Sequence, residues 1–272
     1  AAEQSAKARR SLGIGVTNFA YWLAKHGVNY SGKAGNKLTH ETFEAVQYYL
    51  LKASNKLAKA KGKCDWFNET RYANGEMPID TYRSQLDKPQ YEANYPLLLD
   101  WEALRVDIAV HGLRNSTLTA QMPCETSSQI TNSTNGIEPP RGAVSIKSSK
   151  DGTIRMVVPD YENLSAGYEF LWDMPSNEGY LIKVGIMQKF IDQSISANTN
   201  YDPKAFPGGK VPMQTMLRDL MLAYDLGVKT LYYHNTRDGA GEREEEKITH
   251  QAHLPSSTEI VEEEEECDSC KI

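Results

Sequence analysis

The chain has 272 residues, 40% hydrophobic and 24% charged, enough for one large domain or two small ones. No apolar run approaches the roughly 18 residues of a membrane span, and the opening Ala1-Ala-Glu-Gln-Ser-Ala-Lys-Ala-Arg-Arg10 lacks the apolar stretch of a secretory signal. A soluble, cytoplasmic protein is expected. The net charge of −6 is unevenly spread: Gly239 to Ile272 carries 11 Asp/Glu and three Lys/Arg, so the preceding residues are close to neutral. A near-neutral body argues against a nucleic-acid-binding stripe, and four cysteines are too few for a secreted disulfide scaffold.

Residues 1–26 read as helix, short apolar run, helix. Leu12-Gly-Ile-Gly-Val16 suggests a buried strand or tight turn; Phe19, Trp22 and Leu23 follow at helical spacing, and Gly27 suits the position after a helix. The strongest helix is expected over 39–61. Thr39 or Thr42 would cap it, Phe43, Val46, Leu50 and Leu57 would form its apolar stripe, and Gly62 would end it. Residues 64–98, with Asn74-Gly75, Pro78, Pro89 and Pro96, read as a long surface connection. Another helix is expected over 100–110, ending at Gly112.

Leu118-Thr-Ala-Gln-Met122 is a short strand candidate. Ala143–Ile146 and Ile154–Val158 flank Asp151-Gly152 as a hairpin. Helices are expected near 160–172, 178–193 and 211–226, the last with Pro212 at its first position and Gly227 at its end. Ser194–Thr199 and Val228–His234 read as strands. This alternation predicts an α/β domain over 1–238. Residues 239–272 have too little apolar content, and too many charges in Glu262–Glu266, to offset ordering entropy, and read as a flexible acidic tail.

Three segments offer chemistry. Pro123-Cys-Glu-Thr-Ser-Ser128 places hydroxyls and backbone N–H groups ahead of a helix, which makes either an anion site or a plain cap. Tyr232-Tyr233 ends an apolar strand. Neighbouring tyrosines are ordinarily core or interface aromatics, but a stacked pair also passes an electron and a proton. Because a regular strand points neighbours to opposite faces, stacking there requires the backbone to leave the pleat. Cys267-Asp-Ser-Cys270 has no second Cys pair for structural zinc, and five preceding glutamates would raise rather than lower thiolate pKa values. It is either a tethered dithiol or an incidental pair. Cys64 and Cys124 have no evident partner, Cys64 reading as a buried thiol, and the six histidines show no metal-ligand spacing.

Taken in order, these segments resemble the large, catalytic subunit of class I ribonucleoside-diphosphate reductases. The resemblance is carried by Ala8-Arg-Arg-Ser-Leu-Gly-Ile-Gly-Val16, Leu113-Arg-Asn-Ser-Thr-Leu118, Pro123–Ser128, Asn135-Gly-Ile-Glu-Pro-Pro-Arg141, Phe190–Pro203, Thr230–Gly239 and the terminal dithiol. It runs nearly end to end but covers only the C-terminal third or so of that subunit. The fold it implies is the C-terminal part of a ten-stranded α/β barrel with surrounding helices.

It further implies that Glu125, Thr126, Ser127 and Ser128 lie at the substrate diphosphate. Cys124 stands where relatives commonly carry Ser or Thr, so that Thr126, Ser127 and the backbone carry more of this binding. Tyr233 and Tyr232 would be the outer and inner links of a radical-transfer path, and Cys267 and Cys270 would re-reduce the active-site disulfide, being themselves reduced by thioredoxin or glutaredoxin. No metal or cofactor is implied on this chain; the metal and tyrosyl radical belong to a small partner subunit, whose tail would dock on the helices near 183–193 and 211–226. The radical cysteine matches nothing here, so the chain is expected to be inactive without an N-terminal chain of the large subunit. A naturally divided subunit and a fragment are both compatible with the Ala1-Ala2 start. A non-catalytic module that binds the small subunit, and a stand-alone thiol oxidoreductase, are the alternative readings. Neither nucleic acid nor membrane is an expected partner.

Overall fold

The computed structural model describes residues 1–82, 84–149 and 152–237. The acidic tail, with Cys267 and Cys270, lies outside the described residues, as does Asp151 of the expected hairpin turn.

Helices dominate. In chain order they are α1 (Ala2–Arg9), α2 (Phe19–Lys25), α3 (Lys33–Lys61), α4 (Trp101–His111), α5 (Ser127–Ile130), α6 (Tyr161–Leu164), α7 (Glu178–Gln188) and α8 (Met213–Asp225). The strands are β1 (Val144–Ser149), β2 (Gly152–Val157), β3 (Ala197–Tyr201) and β4 (Leu231–Thr236).

The core is built around α7. Every residue from Tyr180 to Gln188 is buried, as expected of a helix apolar on nearly all sides, and α3 and α8 pack against it. The buried face of α3 carries polar groups as well as Phe43 and Leu51, and several of these, Glu44, Gln47 and Asn55 among them, are paired. Gln47 Nε2 donates to the Tyr72 hydroxyl at 3.1 Å, and Asn55 Nδ2 donates to the carbonyls of Asp107 at 3.1 Å and Gly112 at 2.9 Å. Glu44, also buried, accepts from the N–H groups of Leu98 and Leu99 and from Trp101 Nε1. In this way α3 organises both the segment before α4 and α4 itself.

The expected C-terminal part of a ten-stranded α/β barrel is not borne out: among the described residues no barrel closes. The structure is 51% helix and 9% strand, and among the described residues the strands form two separate two-stranded sheets that do not close. β1 and β2 pair antiparallel, and β3 and β4 pair parallel. The other apolar runs predicted as strands meet only as isolated parallel bridges, Ile14 to Thr119 and Gln121 to Ile195. A closed barrel needs each strand bonded on both sides. Here the run at 12–16 and β4 bound the row, and among the described residues neither has a strand on its outer side. Close approach within the row depends on Gly15, where a Cβ would lie 2.5 Å from the Ala120 carbonyl oxygen.

Other departures are local. α3 begins six residues before Thr39, at Lys33, with Gly32 extended as its cap; Thr39 is buried inside the helix and its hydroxyl donates to the Gly35 carbonyl. Its first turns lack the apolar periodicity that would reveal them. Residues 64–98 are not a surface connection. Their 3-10 turns bury Phe67, Tyr72, Met77, Ile79 and Leu86, because widely spaced single anchors suffice to seat a turn-rich segment on the core. The helix expected over 160–172 is only α6 followed by 3-10 turns, and Pro212 caps α8 rather than opening it. The helices at α2, α4, α7 and α8, and the terminators Gly27, Gly62, Gly112 and Gly227, all with positive φ, agree with expectation.

Candidate functional site

The ladder between β3 and β4 is irregular at one place. Ala197 lies opposite Leu231 and Thr199 opposite His234, so Asn198 alone faces both Tyr232 and Tyr233. This two-against-one step is a β-bulge, which inserts one residue and re-aims the side chains around it. Both tyrosines are about half exposed, with ring centroids 4.0 Å apart, planes at 48° and hydroxyls hydrogen-bonded at 3.1 Å. The departure from the pleat is therefore present, and it brings the two rings together tilted rather than stacked. The Tyr232 phenol is raised above its ordinary pKa, first by its hydrogen bond to Tyr233, then by the charge Tyr233 acquires on ionising, with smaller contributions from desolvation and Glu125.

The tyrosines form one wall of an open cleft of about 580 Å3. Its other walls include Glu125 from the 123–128 segment, Asn135 to Glu138 from the following loop, and Ser196 and Asn198 from the β3 side. Two of the segments singled out in the sequence thus share one cavity. Glu125, Thr126 and Ser127 are exposed, whereas Ser128 is buried and its hydroxyl donates to the Glu125 carbonyl at 3.3 Å. Ser128 therefore braces the turn from behind. Of the first amides of α5, the Ser128 N–H donates to the Cys124 carbonyl at 2.8 Å and the Gln129 N–H to the Thr126 carbonyl at 3.2 Å. Cys124 is buried, its Sγ 3.4 Å from the Met122 carbonyl oxygen, so its thiol faces inward. Cys64 is fully buried and burial pushes its pKa up.

Glu138, Asn135 and Asn198 carry the cleft's hydrogen-bond network, and sequence reading assigned them no role. Glu138 accepts from Asn198 Nδ2 at 2.7 Å and from Asn135 Nδ2 at 3.1 Å. Burial raises its pKa, opposed by the hydrogen bond from Asn198 and by the Arg141 charge. An acid inside Asn135-Gly-Ile-Glu138, between a Ser/Thr/Asn-rich stretch and a Pro-Pro pair, was the available signal. Among the described residues, no three His, Cys, Asp or Glu side chains gather as a metal site, and no helix is long and apolar enough to cross a membrane.

The profile described as ribonucleotide reductase, barrel domain, matches residues 1–234. The chain belongs to the ribonucleotide reductase large-subunit family. It is 68% identical over 248 residues to ribonucleoside-diphosphate reductase 1 subunit alpha of Escherichia coli strain K12, covering 91% of this chain and 32% of that protein. The subunit alpha of Haemophilus influenzae is 66% identical over 246 residues, with 90% and 32% covered. That of enterobacteria phage T4 is 47% identical over 274 residues, with 99% and 34% covered. This member of the reductase family therefore spans about a third of the length of these relatives.

Proposed function

We propose that this chain is the C-terminal component of a ribonucleoside-diphosphate reductase large subunit, an oxidoreductase that makes 2′-deoxyribonucleotides for DNA synthesis by a radical route. The observation that carries the reading is the shared cleft. A Tyr232–Tyr233 pair brought into ring contact and a shared hydrogen bond by the bulge, suited to passing an electron together with a phenolic proton, opens onto the same cavity as Glu125 of the substrate-phosphate segment.

In this reading Glu125, Thr126 and Ser127, with nearby backbone amides, hold the diphosphate, and Ser128 fixes the turn. An electron leaves Tyr233, then Tyr232, then a cysteine supplied from outside this sequence; Cys64 and Cys124, both buried, do not take that part. That cysteine abstracts the substrate 3′-hydrogen, water departs from C2′, and a cysteine pair is oxidised. Cys267 and Cys270 then reduce that pair by thiol–disulfide exchange and are re-reduced by thioredoxin or glutaredoxin. A tail of some thirty residues raises the dithiol's effective concentration at the site. The radical itself arises on a small partner subunit. α8 offers that partner an exposed apolar face with Met213, Leu217, Leu220 and Met221.

Tyr232→Phe and Tyr233→Phe in the reconstituted enzyme test the reading. Phenylalanine keeps the ring but has no phenolic proton, so turnover is lost while ribonucleoside diphosphate binding is retained. Normal steady-state rates in either variant would refute it. This chain with only the small subunit and a reductant is expected to show no turnover.

A further inference from the structure

A bulge leaves an extra residue outside the ladder's regular bonding. At this bulge the missing acceptor comes from a side chain: the Tyr233 N–H donates to Asn198 Oδ1 at 3.0 Å. The other end of the same amide donates to Glu138 Oε1 at 2.7 Å. The second Glu138 oxygen accepts from Asn135 Nδ2 at 3.1 Å, and Asn135 Oδ1 accepts from the Cys124 N–H at 3.1 Å. The bonds run unbroken from the backbone of the phosphate segment to the backbone of the tyrosine pair. Neither amide can be reversed: either flip would set an NH2 against an N–H and a carbonyl oxygen against a carboxylate.

We propose that Asn198 is a positioning residue for the Tyr232–Tyr233 pair, and that Glu138 and Asn135 tie it to the Cys124 backbone so that phosphate segment and tyrosine pair share one register. This rests on the reading of Tyr232 and Tyr233 as redox carriers. Asn198 touches neither phosphate segment nor tyrosine ring through these bonds; it sets the backbone from which the rings project. Its loss therefore acts on the rate of radical passage more than on substrate affinity.

The test uses this chain within its complete large subunit, together with the small subunit. Asn198→Ala lowers kcat by roughly tenfold or more, as expected when a connected, part-buried network loses a central member, with KM for the diphosphate within about twofold. Asn198→Asp keeps an acceptor for the Tyr233 N–H but sets a second carboxylate against Glu138. The groups around Glu138 are the Arg141 guanidinium, the Glu125 carboxylate and the phenols of Tyr30 and Tyr180. Arg141 favours the ionised form, whereas Glu125 and burial oppose it. Facing carboxylates hold one proton more tightly than either would alone, and that proton restores the donor. The kcat of Asn198→Asp relative to the unsubstituted enzyme thus rises about fivefold or more as falling pH loads the shared proton. A pH-independent ratio, or an Asn198→Ala kcat within about twofold of the original, overturns the proposal. Should Asn198→Ala fail to fold, the Asn198→Asp ratio decides. Inactive Tyr→Phe variants beside normal Asn198 variants would remove the positioning role alone, whereas active Tyr→Phe variants would remove the redox reading and this proposal with it.

Discussion

The hydroxyls of Tyr232 and Tyr233 are hydrogen-bonded at 3.1 Å although the residues are consecutive in a strand. Two phenols so close cannot ionise independently: once one loses its proton, the other is held back by both the hydrogen bond and the new charge. Tyr232 is raised above the ordinary phenol value with Tyr233 as the leading cause. Tyr233→Phe is therefore expected to bring the Tyr232 titration down toward that ordinary value. NMR of a tyrosine labelled at its phenolic carbon at position 232 measures this, and an unchanged midpoint would mean that the pair does not share a proton bond in solution.

The dithiol gives a kinetic prediction. If Cys267 and Cys270 only re-reduce the enzyme, Cys267→Ser or Cys270→Ser abolishes repeated turnover with thioredoxin and spares a single round from pre-reduced enzyme. Rapid-quench product counts separate the two regimes. Equal loss in both would remove the shuttle role.

A third prediction concerns acid stability. His40 is buried between Tyr95 and Phe190, and burial, with the Lys189 ammonium, lowers its pKa from 6.5 to about 4. Glu44 lies 3.8 Å from its Nε2, but those carboxylate oxygens already accept from Leu98, Leu99 and Trp101. The unfolded chain takes up a proton near pH 6.5 that the folded chain refuses until about pH 4. Stability is thus full above pH 6.5 and falls as pH drops to about 4, by about 3 kcal/mol from this residue. His40→Leu should flatten that part of a denaturation-midpoint profile. A variant with the same acid slope as the original would assign the effect elsewhere.

Glu44 itself is a structural keystone. Glu44→Ala strips the acceptor from the N–H groups of Leu98, Leu99 and Trp101, leaving donors near the core unsatisfied. A loss of roughly 3 kcal/mol or more is expected, since each unsatisfied buried donor costs about 1–3 kcal/mol. Denaturant melts followed by Trp101 fluorescence measure it, and Glu44→Gln, which keeps one carbonyl acceptor, should lose less. Equal stability of Glu44→Ala and the original would mean that water replaces the carboxylate.

Much of the helical framework was legible because α2, α4 and α8 carry apolar residues at helical spacing and are followed by glycines that adopt positive φ, and because α7 is a long apolar run. The tyrosine pair was legible too, down to the need for a break in the pleat. The failure of the strand runs to close into a barrel was not legible, because pairing is a non-local property. The apolar run at 12–16 looks like a strand locally, yet makes only the Ile14–Thr119 bridge. Residues 64–98 misled for a related reason: prolines report backbone shape, whereas burial of Tyr72 and Met77 depends on what the fold brings beside them. Asn198 and Glu138 were hidden because an amide and an acid in strand and loop are ordinary residues until a bulge gives them work.

A bulge is a misfit of one residue, and a misfit can slide along its ladder unless something stops it. Beyond Tyr233 the two strands are pinned at successive steps. The Thr199 hydroxyl bonds His234 Nδ1 at 2.6 Å, Asn235 Nδ2 donates to Asn200 Oδ1 at 3.0 Å, and the Arg237 N–H donates to the Tyr201 carbonyl at 2.8 Å. On the near side Ala197 is locked opposite Leu231. The dislocation therefore has nowhere to travel, and the extra residue is trapped at the tyrosines. Strand slippage, ordinarily a hazard for short parallel ladders, is confined here to the one position where an offset is useful.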